Sequence, residues 1–158
     1  MGCAKPDEPA DCQVWAGYEG IPQAGTPAMP TLSAERAHSG QFSVRVDQQN
    51  VYGHPVDLSW EQLGKPDQLR VKGWTWMPNL STRAALVLTV VRPGQTAAID
   101  WQSLNLRQVV RRPNQWVPVV KTFNLPAGLQ PTDRVIIYLW QAFPGEAVFL
   151  DDLCLTKL

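Results

Sequence analysis

Phe42, Val44 and Val46 alternate with Gln41, Ser43 and Arg45, the period-two pattern of a strand with one buried face. Residues 12–19 begin the fold, and further strands are predicted at 56–61, 68–77, 84–92, 97–102, 116–123, 134–141 and 147–156. Breaks carrying Pro, Gly or Asn separate them, among them Gly64-Lys65-Pro66, Arg92-Pro93-Gly94, Arg112-Pro113-Asn114 and Pro126-Ala127-Gly128. Residues 20–33 read as a long loop and 34–40 as a turn, and no segment carries a helical period of useful length. Many short strands at near-regular spacing predict an all-β fold, an antiparallel β-sandwich of jelly-roll type. It occupies residues 12–158, after a polar, Pro-rich tether at 1–11.

Alternation assigns faces within these strands. Trp74 and Trp76 share a face with Arg70 and Lys72, while Val71, Gly73, Thr75 and Met77 take the other. Tyr138 and Trp140 lie opposite Ile137 and Leu139. In the closing run, from Ala147 to Leu155, the adjacent Asp151 and Asp152 are expected to point opposite ways. One of them therefore faces the apolar side, where a carboxylate needs a cation or a hydrogen-bond donor.

Composition narrows the function. Acidic and basic residues number 14 each, so the chain has no net charge, and nucleic acid, which binds basic surfaces, is excluded as a partner class. Arg107, Arg111 and Arg112 read as a solvated loop cluster. The 14 Pro, 11 Gly and 7 Trp suit short strands joined by turns. No apolar run is long enough to cross a membrane.

The three cysteines divide into two settings. Met1-Gly2-Cys3-Ala4, followed by Lys-Pro-Asp-Glu-Pro, resembles a trimmed bacterial lipoprotein start, which implies a lipid anchor at Cys3 and a secreted or cell-surface location. The alternative is an ordinary cysteine in a tail. Cys12 opens the first strand and Cys154 sits in the last. With neighbouring terminal strands they could bridge and close nearly the whole chain. As free thiols they would behave as small buried hydrophobes.

Four stretches carry a wider resemblance: Tyr18-Glu19-Gly20, the turn and strand Ala37-His38-Ser39-Gly40-Gln41-Phe42-Ser43, Trp116 with its alternating valines, and Phe149-Leu150-Asp151-Asp152-Leu153. In this order they resemble the jelly-roll carbohydrate-binding modules and the related galactose-binding-like domains of bacterial surface lipoproteins. The resemblance implies a structural Ca²⁺ where the first strand, the Ser-Gly turn and the last strand meet. Glu19 and Asp151 would supply carboxylates, and main-chain oxygens near Ser39 and Gln41 would complete a hard-oxygen shell; the alternative is that Glu19 and Asp151 accept hydrogen bonds from Ser39, His38 or backbone amides with no metal. The resemblance also places Trp116 in the core, where Trp15 and Trp60 are expected as well.

Sugar-binding sandwiches stack aromatic rings on pyranose faces, so the remaining aromatics are the candidate platform. Tyr52, Trp76, Trp101 and Trp140 are the expected contacts, with Arg70, Asp100 and Gln102 as hydrogen-bonding partners. The partner would be a polysaccharide or oligosaccharide. The alternative is a structural or adhesive domain whose second face meets a protein or neighbouring domain. The five glutamates form no recognisable acid–base pair, and no G-x-S-x-G, H-E-x-x-H or C-x-x-C motif appears, so no enzymatic activity is expected.

Overall fold

The computed structural model describes residues 12–158; the expected tether and Cys3 lie outside them. Ten strands follow in chain order: β1 (Val14–Ala16), β2 (Leu32–Ser33), β3 (Ser43–Val46), β4 (Val56–Ser59), β5 (Gln68–Trp76), β6 (Ala84–Val91), β7 (Asp100–Asn105), β8 (Trp116–Asn124), β9 (Arg134–Gln141) and β10 (Val148–Lys157). They form two antiparallel sheets. The larger runs β2-β3-β10-β5-β8, with β1 also paired to β10; the smaller runs β4-β9-β6-β7. The all-β sandwich is therefore the observed fold.

Period-two alternation explains the core. Leu69 and Val71 of β5, Val44 and Val46 of β3, and Leu150, Leu153 and Leu155 of β10 project inward from the large sheet. Leu86, Leu88 and Val90 of β6 meet them from the small sheet, with Ile137 and Leu139 of β9, and Phe123 is fully buried with them. The apolar area removed from water here is the main stabilising term.

Two expectations shift. The strand predicted at 97–102 lies instead at Asp100–Asn105, because the chain after β6 first makes a turn in which Gln95 N–H donates to the Arg92 carbonyl at 3.0 Å. The Asn105 side chain then accepts from Arg107 N–H and opens a single 3₁₀ turn, Leu106–Gln108. Strand β2, two residues inside the predicted loop 20–33, is too short to show any period.

The ends of the chain are joined. β1 pairs antiparallel with β10, Trp15 opposite Cys154. Cys12 and Cys154 form a disulfide with Cα atoms 5.5 Å apart, across a sequence separation of 142. Of the alternatives open at the sequence level, the bridge is the one present.

Candidate functional site

The last strand breaks its own alternation. Asp152 has a positive φ of 52°, and the β10–β5 register shifts between Asp151 and Cys154. This is a β-bulge, in which one extra residue is left unpaired and side chains are re-aimed. Asp tolerates the left-handed conformation better than most residues. The expectation that the two carboxylates diverge is therefore corrected: both reach the same turn. Asp151 Oδ2 accepts the main-chain N–H groups of His38 (2.8 Å) and Ser39 (3.2 Å), and its Oδ1 accepts Asp152 N–H at 2.8 Å. Asp152 Oδ2 pairs with His38 Nδ1 at 2.6 Å, and Asp152 Oδ1 accepts the Ser39 hydroxyl at 2.7 Å.

Glu19 holds the other side of this turn. Its Oε1 accepts Gln41 N–H and Phe42 N–H, each at 2.8 Å. Gly40 lies directly beneath the carboxylate. Its φ is +63°, and a Cβ there would lie 2.3 Å from Glu19 Oε1, so this position needs glycine. The first strand region, the turn and the last strand do meet, as the resemblance implied. What faces the carboxylates from Ser39 and Gln41, however, is N–H rather than main-chain oxygen. Among the described residues, no three His, Cys, Asp or Glu side chains gather as a metal-ligand group. Of the residues expected around calcium, Glu19 and Gln41 meet on one side of the turn and Ser39 and Asp151 on the other.

Burial and the neighbouring Asp152 charge push the Asp151 carboxyl up to about 7, against the opposing pull of its N–H donors. Burial likewise raises the phenol of Tyr18, whose hydroxyl has no described partner.

A second constellation lies on the outer face of the small sheet. The register sets Ala85 beside Trp140, Val87 beside Tyr138 and Thr89 beside Ile136, with Trp101 of β7 across from Thr89. The face of β6 made by Ala85, Val87 and Thr89 is thus buried beneath aromatics of β7 and β9. Trp101 and Trp140 meet edge to face across it, with centroids 5.9 Å apart. Tyr52 comes from the loop before β4 and bridges to Trp140 in the main chain. Its ring packs edge-on to Tyr138 at 6.0 Å. Gly53 permits this approach, since a Cβ there would fall 2.6 Å from Val44 and 3.2 Å from the Leu139 carbonyl. Beside the tyrosines opens a cleft of about 620 Å³, whose lining includes Gln49, Asn50, His54 and Ile136. Burial lowers the His54 pKa from its ordinary value. Tyr52 is 63% exposed and Trp101 49%.

The seven expected ligand contacts are thereby divided. Tyr52, Trp101 and Trp140 come together on the small sheet. Trp76 and Arg70 lie on the outer face of the large sheet, on the far side of the sandwich. There the Arg36 guanidinium covers the Trp76 ring at 3.7 Å, and Phe149 packs edge-on to it. Asp100 and Gln102 flank Trp101 in sequence, so alternation turns them away from it. Gln102 Nε2 donates to Asp100 Oδ2 and to the Asn124 carbonyl, both at 2.7 Å, tying β7 to the end of β8. Tyr138, Gln49, Asn50 and His54 were not among the expected contacts. Alternation with Trp140 already placed Tyr138 on that face, and Asn50 and His54 share the Gly-flanked loop of Tyr52, whereas nothing local marked Gln49.

The tryptophans assigned to the core are also corrected. Trp116 sits opposite Trp76 on the outer face, half-buried and edge-on to His38. Trp15 is half-buried on β1. Trp60 is partly exposed, with its indole N–H donating to the Pro66 carbonyl at 2.9 Å. Aliphatic residues, with Tyr18 and Phe123, fill the interior instead.

No family model matches the chain, and no curated protein sequence matches it. Solved structures do. The C-terminal family 22 carbohydrate-binding module of Clostridium thermocellum Xyn10B superposes with a TM-score of 0.58 at 17% identity, covering 93% of each chain. A CBM22 xylan-binding domain gives 0.57 at 18% identity, covering 94% of this chain and 96% of that one. The CBM22-2 xylan-binding domain of Paenibacillus barcinonensis Xyn10C gives 0.52 at 13% identity, covering 80% and 85%. The chain has the β-sandwich fold of the carbohydrate-binding modules.

Proposed function

We propose that this protein is a non-catalytic carbohydrate-binding module that holds a poly- or oligosaccharide along the outer face of its small sheet. The observation that carries this reading is the aromatic trough that Tyr52 and Trp101, both exposed, form with the half-buried Tyr138 and Trp140 over the small side chains of β6. Rigid rings present large contact area at little entropy cost, and Gln49, Asn50 and His54 stand beside them for hydroxyls. Carboxylates serve the scaffold: Asp151, Asp152 and Glu19 bind the 38–42 turn, Asp133 binds Arg92, and Asp57 binds Arg134. The disulfide suits an exported or cell-surface protein, and a lipid anchor at Cys3 is part of the same reading.

Xylan is the first ligand to test, since two of the similar structures are named as xylan-binding. Calorimetric titration with xylan oligosaccharides should show Trp140→Ala weakening binding at least about tenfold, roughly 1.4 kcal/mol, with the melting temperature within a few degrees of wild type. Wild-type protein that ignores a panel of neutral polysaccharides, or a variant that binds equally well, would remove the trough from consideration. A structural or adhesive role would then be the better reading of these exposed rings.

Calcium belongs to this proposal on the Glu19 side only. There Oε1 takes both amide bonds and Oε2 takes none of the described ones, whereas both Asp151 oxygens already accept N–H. A bound ion would neutralise Glu19 with hard oxygen ligands. Melting curves in excess EDTA and after restoring Ca²⁺ test it. A reversible shift of several degrees, lost in Glu19→Gln, is the expected result; identical curves would leave the seam to its N–H donors.

A further inference from the structure

The outer face of the large sheet carries a groove that the small-sheet reading does not use. It has a volume of about 480 Å³ and is lined by Trp15 of β1, Lys72 and Trp74 of β5, Pro118 and Val120 of β8, and His38, among others. The register shift after Asp151 removes part of the β10 pairing beside it. Trp74 forms one wall, with the His38 ring stacked on it at 4.0 Å and 13°. Trp15 contributes a second indole. Val120, 55% exposed, is an apolar side chain left open to water between these rings and the sheet edge.

The groove lining carries one cation and one carboxylate, Lys72 and Asp152. Lys72 lines it, and Arg70 lies two residues along the same strand face. Among the described residues neither takes part in an ion pair. The one carboxylate in the lining, Asp152, has both oxygens engaged by His38 Nδ1 and Ser39. That bond commits Nδ1, while among the described residues His38 Nε2 has no hydrogen-bond partner. A ligand seated here would meet flat apolar walls, one ring nitrogen and a lysine ammonium. A pyranose with an apolar C–H face and a carboxylate matches all three.

We propose that this groove is a second ligand site, for a uronic-acid residue of an acidic polysaccharide. It is independent of the trough on the opposite sheet. The module would then contact two glycan chains at once, and avidity on a mixed polysaccharide would exceed either single affinity.

Tryptophan-fluorescence titration with tetragalacturonate tests it, using a neutral tetrasaccharide as control and the Trp140→Ala background to silence the trough. The variant is expected to keep uronate binding. Adding Lys72→Gln should weaken that binding at least about fivefold and flatten its salt dependence. Adding Val120→Glu, an exposed change that leaves the core intact, should weaken it further by placing a like charge at the rim. Loss of uronate binding with Trp140→Ala alone would assign the acid sugar to the trough and overturn the second site. So would binding indifferent to both Lys72→Gln and Val120→Glu, equal binding of the neutral tetramer, or wild type that binds xylan but no uronate. The last result would leave the small-sheet reading standing.

Discussion

Asp151→Ala is expected to destabilise the protein by about 4 kcal/mol, near the upper end for a single substitution. The side chain is fully buried and accepts the N–H groups of His38, Ser39 and Asp152. Deleting it leaves three donors without an acceptor, each costing roughly 1–3 kcal/mol unless water enters. It also frees the turn that carries His38 onto Trp74. Urea unfolding at several pH values measures the effect and adds a second signature. The folded-state pKa of Asp151 is raised from 3.8 to about 7, so between these values the folded protein holds a proton that the unfolded chain has released. Wild type therefore loses the Asp151 contribution as pH rises through that window. The deficit of the variant should be larger at pH 5 than at pH 8. A deficit below about 1 kcal/mol, or one that is flat with pH, would contradict the role assigned to this carboxylate.

The double replacement Cys12→Ser, Cys154→Ser is expected to cost about 3–5 kcal/mol, lowering the melting temperature by roughly 10 °C for a domain of this size. The physical reason lies in the unfolded chain. A bridge spanning 142 residues confines nearly all of it, and its loss restores that conformational freedom. The bridge also secures β1, three residues long, against β10. Thermal melts with and without reductant give the number. Wild type under reducing conditions should match the double variant. Equal melting in oxidised wild type and the variant would show that β1 docks on β10 without the bond.

Much of the fold is legible in local pattern. Phe42-Ser43-Val44-Arg45-Val46, the Leu69–Trp76 alternation and the Ile137-Tyr138-Leu139-Trp140 run place their residues on the faces where the structure has them. The bulge at Asp152 was not legible. A positive φ inside a strand leaves no trace in hydrophobic period, so the two carboxylates read as diverging when they converge. Trp116 was misplaced for a related reason. A tryptophan in an apolar strand suits either face of the sheet, and only the loop bearing His38 and Arg36 covers the outer one.

The candidate sites follow the same division. Alternation alone could group Tyr138 with Trp140, because neighbours on one strand have fixed relative directions. It could not bring Tyr52 beside them or separate Trp76 from Trp140, since these depend on which strands pair and in which sheet. Residue order along the chain thus determined an all-β chain, its strand faces and its aromatic supply. Tertiary structure decided which rings share a surface, that the terminal strands join through Cys12 and Cys154, and that N–H groups meet the carboxylates of Glu19 and Asp151. Side-chain direction within a strand is a local property of the backbone, whereas adjacency between strands is set by packing of the whole core.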